Sequence, residues 1–439
     1  MKKSIFLAFI ASFAACAVHA ESVTPAMAMA AANAWAERNA QFETGNNATN
    51  VITECDTNTA QTVLWHQVSM AGGGCLMIAP VTEIEPVVVA LERDPGKLPA
   101  AHPLRGILSI DMRRRLRFLK LYAEDAPSAG GRKRLAASAS REPEEDGEKA
   151  AQREAVRQEW AAQQQSKWGG LLSGGRTGGG KRLAASMTEA VLDKDMKYKV
   201  VVKGFQLDGP LTHWSQSEGI YNRFTPGSSV CGCVATATAA MLQFFRAGMN
   251  REIPSGKSNP ACTYNGAPVA TSTKGGKYDW ASLPKSWGGD ADGPITDEGK
   301  NLLGTVAYDA GVAVGMHWTK DASGAMESDI ATGLRDYFGF MEVRCVNNPR
   351  QDQYEKLIYT QCRANAPVGL GIEAPSVVAV GYGVDEDDVE RVRVFMGWGG
   401  LGDGWYALPY INTKSTEQGA SYLSTIVDCV ITMIGCDDD

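Results

Sequence analysis

The run Gly232-Cys233-Val234-Ala235-Thr236-Ala237-Thr238-Ala239-Ala240-Met241-Leu242 constrains this chain more than any other stretch. A glycine and a cysteine open a helix of small and apolar residues, with helical patterning from Val234 to Arg246. Side chains this small let a helix lie buried against a sheet. The sulfur of Cys233 then points from a rigid element into a cleft. The partial positive charge at a helix N-terminus favours thiolate over thiol and lowers a cysteine's pKa. Thiolate is the attacking species in nucleophilic cysteine chemistry. A structural cysteine at a buried helix start fits the same spacing, and Cys231 next door offers a sulfur for a disulfide elsewhere.

The N-terminus bears on which cysteines remain. Lys2 and Lys3 precede an apolar run from Ile5 to Ala15, too short to span a bilayer, and Val18-His19-Ala20 offers small residues at the positions a signal peptidase reads. Residues 1–20 are therefore expected to be a signal peptide cleaved before Glu21, making the protein secreted or exported, to the periplasm or beyond. A lipid tether at Cys16 is the weaker alternative, because Phe13 stands where a branched aliphatic residue is expected. No other stretch approaches 18 consecutive apolar residues, so no transmembrane segment is expected. Ten cysteines less Cys16 leaves nine: Cys55, Cys75, Cys231, Cys233, Cys262, Cys345, Cys362, Cys429 and Cys436. Structural cysteines of exported proteins tend to pair, so an odd one out is a candidate free thiol. The alternative is that several are unpaired and buried.

Composition separates three regions after the leader. Residues 21–122 have the pattern of a small α+β unit. Thr24 and Pro25 cap a helix over Ala26 to Ala36, and Gln61 to Val68, Cys75 to Pro80 and Pro86 to Leu91 have the pattern of strands, with a Gly72-Gly73-Gly74 turn. Leu104 to Leu121 has the pattern of a basic amphipathic helix. Residues 123–192 have the composition of a disordered, low-complexity linker that buries too little apolar surface to offset its ordering entropy. A basic element occurs there twice, at Gly130 to Ser138 and Gly179 to Ser186, bracketing a charged stretch from Glu142 to Gln165 with the pattern of a solvated helix. Residues 193–436 have the pattern of one large α+β domain, with helices at Val234–Arg246, Glu298–Ala313 and Ser328–Phe338 and strands from Ala366 onward; residues 437–439 are an acidic tail.

Several function classes find no support. A net charge of −7 over 439 residues, without a basic stripe interleaved with aromatics, gives no field to hold nucleic acid. Cys231-Gly232-Cys233 lacks the spacing and the second ligand pair of a zinc site, so no metal is expected. The glycine-rich runs lack a strand–loop–helix frame with a phosphate-binding lysine, and no cofactor is expected.

The order Trp214-Ser215-Gln216, Tyr221-Asn222, Thr225-Pro226, then Gly232-Cys233-Val234-Ala235-Thr236-Ala237, resembles the start of the catalytic domain of streptopain-like cysteine peptidases in the papain-like clan. Tyr278-Asp279-Trp280 with Leu283-Pro284, Gly315-Met316-His317-Trp318 with Gly324-Ala325, Pro367 to Gly383, and Gly397-Trp398-Gly399-Gly400 with Asp403-Gly404-Trp405-Tyr406 continue the resemblance. Gly73-Gly74-Cys75-Leu76-Met77-Ile78-Ala79 is similar to a strand of the family's inhibitory prodomain. The resemblance covers about three quarters of the chain. It implies a papain-like fold of two subdomains, one helical and one antiparallel β, preceded by a small α+β prodomain. It also implies Cys233 as nucleophile, Gln216 as oxyanion-hole donor and Trp398 as a wall of the site. A peptide or protein substrate and the chain's own prodomain are the implied partners.

The departures lie where the chemistry needs most. The family's catalytic histidine opens a strand that here begins Pro375-Ser376-Val377-Val378-Ala379-Val380-Gly381, so either Pro375 or Ser376 occupies its place. Neither side chain takes a proton near neutral pH. The polar and aromatic residues that support the imidazole are replaced by Phe395 and Met396. The resulting expectation is a secreted cysteine-peptidase homologue with impaired catalysis and a cleft kept for peptide or partner binding. One alternative is an active endopeptidase zymogen using Cys233 with a displaced base, His213 or His317; another is a surface interaction scaffold.

Overall fold

A computed structural model of the chain describes residues 21–42, 44–57, 62–100, 102–119, 147–173, 200–202, 214–217, 219–246, 252–280, 295–347, 349, 351–372, 375–407 and 427–433. The proposed leader, the two basic elements, His213 and the acidic tail lie outside the described residues.

The N-terminal unit is built as its sequence pattern implies. Helix α1 (Pro25–Arg38) starts on Thr24, whose Oγ1 accepts the Met27 N–H at 3.2 Å, and Ala28, Ala31, Ala32 and Trp35 form its buried face. Strands β1 (Ala48–Cys55), β2 (Val63–Met70), β3 (Cys75–Ile78) and β4 (Val87–Leu91) pair in order, all antiparallel. Strand β1 has no apolar run to announce it, because it lies at the sheet edge with most residues exposed or half-buried. Helix α2 (Pro103–Phe118) turns its Leu104, Ile107, Leu108 and Leu116 inward.

Helix α3 (Gly147–Leu172) departs from the expectation of a solvated helix in an unfolded linker. Ala161, Trp168 and Leu171 are buried, Trp168 Nε1 donates to the Ile84 carbonyl at 2.9 Å, and Arg38 donates to the Gly170 carbonyl at 2.5 Å. A handful of apolar residues on one helical face suffices to dock it. Composition averages that face away among Glu, Gln and Arg.

The C-terminal unit contributes β5 (Val200–Val201), α4 (Gly219–Asn222), α5 (Cys233–Arg246), β6 (Thr263–Tyr264), β7 (Ala267–Pro268), α6 (Asp297–Ala313), β8 (His317–Trp318) and α7 (Asp329–Phe338). It continues with β9 (Val343–Asn347), α8 (Gln351–Arg363), β10 (Val368–Ile372), β11 (Ser376–Val384), β12 (Glu390–Phe395), β13 (Gly404–Ala407) and β14 (Val427–Met433). Helices α4 to α7 form one side and the antiparallel strands the other, the division that the family resemblance implies. Helix α8 went unnoticed in the sequence, although Tyr354, Leu357, Ile358 and Cys362 carry helical spacing.

One sheet crosses both units, in the order β1-β2-β3-β4-β13-β12-β11-β10-β14-β9, with β5 on β11. The junction is β4 against β13, with Leu91 opposite Gly404, Ala90 opposite Trp405 and Val89 opposite Tyr406. Trp35, Phe42 and Trp405 stack across it, Phe42 lying 5.6 Å from Trp35 and edge-on at 4.9 Å from Trp405. The two units therefore share a core. Among the described residues no helix is long and apolar enough to cross a membrane.

The docking of α3 is testable by hydrogen exchange. Trp168→Ala removes a buried indole and its hydrogen bond, so the amides of 147–172 should lose protection while those of β10 to β12 keep it. Unchanged protection of α3 would contradict the packing described here.

Candidate active site

Cys233 is the first residue of α5 because the chain reaches it through a turn that only glycine accepts. Gly232 has φ +86°, and a Cβ there would sit 2.8 Å from the Ser323 carbonyl oxygen. Small side chains then let α5 lie tightly on β10 and β11: Ala235, Thr238, Ala239 and Ala240 are buried, and a Cβ at Gly369 would come within 3.0 Å of Met241 Sδ. Thr236 and Thr238 satisfy their hydroxyls within the helix, donating to the Gly232 and Val234 carbonyls at 2.8 and 2.7 Å.

This packing sets the thiol against the start of β11. The backbone amide of Ser376 lies close enough to the half-buried Cys233 sulfur to favour its charged form. Ser376 is 2 % exposed, and among the described residues its Oγ has no hydrogen-bond partner. Pro375 just before it is buried, and its carbonyl accepts the Ile372 N–H at 3.1 Å, closing the turn from β10. The start of β11 thus approaches the thiol with a backbone amide and no imidazole.

Gln216 and Trp398 reach the same spot through backbone pairing. The Gln216 N–H donates to the Gly397 carbonyl at 3.0 Å, the Gly399 N–H to the Trp214 carbonyl at 3.0 Å, and Ser215 bridges Trp398. The Gln216 carbonyl in turn accepts from the Cys231 N–H at 3.0 Å, two residues before the thiol. Trp214 Nε1 donates to Gln243 Oε1 at 2.7 Å, fastening the segment to α5. Gly397 lies so close to α5 that a Cβ would sit 2.8 Å from Thr236 Cγ2. Phe395 closes β12 and is buried opposite Val378; Met396 is 2 % exposed, and its N–H donates to Asp403 Oδ1 at 2.8 Å. The aspartate of the Asp403-Gly404-Trp405 motif thus holds the turn, whatever stands at 396.

The sequence suggested a thiolate poised by the helix N-terminus. The surroundings oppose that. Burial pushes the Cys233 thiol above its ordinary pKa, and the Glu327 carboxylate adds to the push; the N–H groups of Ser376, Val234 and Cys233 itself pull the other way without winning. Cys231, wholly buried against Thr236 Oγ1, is raised to about 12, chiefly by burial. Neither joins a disulfide, and Cys55, Cys75, Cys262 and Cys362 are also free thiols.

Histidines fall differently from the sequence reading. His317 is exposed on β8, with Nδ1 2.8 Å from Thr263 Oγ1. His66 is buried in the N-terminal unit, between Thr53 Oγ1 at 2.9 Å and the Val23 carbonyl at 2.8 Å. His102, in the N-terminal unit, stands edge-on to Trp398, ring centroids 5.7 Å apart. Its Nδ1 accepts the Leu104 N–H at 3.1 Å and caps α2, so the neutral ring carries its proton on Nε2; burial holds its pKa below the usual imidazole value. No sequence signal joins His102 to Trp398, because their meeting needs the two units docked. Among the described residues no group of three His, Cys, Asp or Glu side chains is placed to hold a metal ion.

A thiol held above its ordinary pKa should alkylate slowly at neutral pH. With iodoacetamide, the rate at Cys233, measured by mass spectrometry against Cys233→Ala, should climb through the alkaline thiol range. A rate already at its plateau near neutrality would mean an activated thiolate and would contradict the electrostatics described here.

Residues 214–406 match the sequence model of the Peptidase C10 family. Streptopain of Streptococcus pyogenes serotype M28 is 25% identical over 246 residues, 50% of this chain and 58% of that protein, and streptopain of serotype M1 matches to the same extent. The chain thus spans under two thirds of the length of the curated relatives it matches. A solved fragment of Prevotella intermedia prointerpain A, carrying a cysteine-to-alanine substitution, superposes with a TM-score of 0.54 at 20% identity, over 89% of this chain and 100% of that one. That likeness is one of fold, and it takes in the N-terminal unit as well as the C-terminal one.

Proposed function

We propose that this chain, which matches the Peptidase C10 family over residues 214–406 and is similar to streptopain, is an exported homologue that has lost its general base and kept its cleft to bind peptide or a partner protein. The reading rests on one observation: β11 packs against α5, and its first residue, whose amide bears on the Cys233 thiol, is a buried serine with a hydroxyl that cannot take a proton near neutral pH. Peptide hydrolysis on this frame needs an imidazole to accept the thiol proton and return it to the leaving amine. Pro375 or Ser376 stands in the imidazole's position, and either leaves the step without a carrier.

The neighbours support the same reading. Phe395 and Met396 are buried apolar side chains where the family orients its imidazole. The raised thiol pKa removes the thiolate that would otherwise attack unaided. His317 is exposed and engaged with Thr263, which argues against it as a displaced base. The backbone pairing of the Gln216 segment with the Gly397–Gly399 turn and with Cys231 supports a retained cleft.

With casein and a reductant, the full chain and Cys233→Ala should give equal background hydrolysis. Loss of one member of such a unit costs on the order of 10⁴ to 10⁶ in turnover. A Cys233-dependent rate near that of working family members would sink the proposal in favour of a zymogen with a displaced base.

Restoring the imidazole is the complementary test. Ser376→His or Pro375→His, each combined with Phe395→Asn and Met396→Trp, should raise Cys233-dependent hydrolysis by at least about a hundredfold, the usual contribution of a positioned acid–base group. The variant that responds identifies the histidine's position. If neither responds while both fold, the remaining cleft is no longer of peptidase form.

A further inference from the structure

We infer that the groove beside Cys233 selects peptides by a basic side chain, and that Glu327 is the residue that recognises the lysine or arginine. The inference rests on the retained-cleft reading above and names the class of peptide that the cleft takes.

The loop between β8 and α7 runs against the turn that delivers Cys233. A Cβ at Gly232 would sit 2.8 Å from the Ser323 carbonyl oxygen and 3.3 Å from Met316 Cε, so the loop touches the residue before the thiol. Its backbone is tied at both ends. His317 and Gly324 exchange N–H donations at 2.9 and 3.2 Å. Ser323 Oγ accepts the Thr319 N–H and donates to the Thr319 carbonyl, both at 3.0 Å. Where α7 begins, the Met326 and Glu327 carbonyls accept the Asp329 and Ile330 N–H groups at 3.0 and 3.1 Å. Glu327 therefore stands on a fixed backbone, four residues after the one that meets Gly232.

The loop is acidic. From Thr319 to Asp329 it carries Lys320 alone against Asp321, Glu327 and Asp329. Among the described residues neither Glu327 nor Asp329 forms an ion pair. Asp329 sits in the first turn of α7, where the helix dipole favours a carboxylate. Glu327 lies just outside the helix, half-buried, and its charge bears on Cys233: burial raises that thiol's pKa most, and Glu327 raises it further.

A carboxylate in that place works against a nucleophile, since it disfavours thiolate. For binding, the same charge attracts a cation, and a half-buried charge is screened less than one in open water. Met326, the residue before it, is 67 % exposed. A thioether there offers apolar surface to the methylene stem of a lysine or arginine whose charged head meets Glu327. An acidic peptide side chain meets repulsion from the same group, which widens the discrimination.

The test compares the full chain with its Glu327→Gln variant, a change of charge at nearly constant shape. Capped pentapeptides Ala-Ala-X-Ala-Ala, with X either lysine or uncharged norleucine, are titrated by calorimetry. The lysine peptide should bind tighter by about threefold or more, the discrimination expected of one ion pair. That difference should vanish in Glu327→Gln while the norleucine affinity is unchanged, which also shows that the variant folds. Salt raised from about 0.1 M to about 1 M should shrink the preference. A second readout needs no peptide. Cys233 is labelled with a trimethylammonium-bearing methanethiosulfonate or with neutral methyl methanethiosulfonate, and the ratio of the two rates, followed by mass spectrometry, should fall about threefold or more in Glu327→Gln. Equal affinities for the two peptides, a lysine preference that survives in Glu327→Gln, or an unchanged ratio of labelling rates overturns the inference and leaves the retained cleft standing. If neither peptide binds, the retained-cleft reading falls and the inference falls with it.

Discussion

The close seating of α5 on β10 and β11 is the constraint that everything at the site inherits. A helix can approach a sheet this closely only where both surfaces are nearly bare, and here Ala235, Ala239 and Ala240 face a sheet interrupted at Gly369. The same closeness brings the head of the helix within reach of the first amide of β11. It also leaves the sulfur short of water. Desolvation disfavours the thiolate more than the amides of Ser376, Val234 and Cys233 favour it, so the geometry that presents the thiol also pushes its pKa up. In a working enzyme of this architecture a neighbouring imidazolium tips that balance.

The site also depends on how its loops are tied together. The segment around Gln216 has little regular structure of its own. It is held by pairing with the Gly397–Gly399 backbone on one side and by the Cys231 amide on the other. None of these contacts uses the side chain at 375, 376, 395 or 396.

Charge between the units tells a related story. Arg391 and Asp385 are each about 1 % exposed at the side chain, buried against Trp35. Breaking such a pair by removing one partner costs about 3–5 kcal/mol, because it strands an uncompensated buried charge. The pair belongs to the C-terminal unit, yet its enclosure is completed by the N-terminal one. Helix α3 thickens that unit further by docking Trp168 under the Ile84 carbonyl.

Local chemistry made much of this legible from the chain alone. Thr24-Pro25 starts α1, Gly232-Cys233 starts α5, and the order of Trp214, Gln216, Cys233, Trp398 and Asp403 suffices to suggest a papain-like frame. Those features are written in short stretches, where capping, periodicity and turn geometry act within a few residues. Long-range packing settled the rest. The sequence could not say that His102 would meet Trp398, that β4 would extend the sheet through β13, that α3 would bury its few apolar residues, or that burial would overrule the helix terminus at Cys233. Each of these turns on which distant surface excludes water from a given group, and that is fixed only when the two units close on one another.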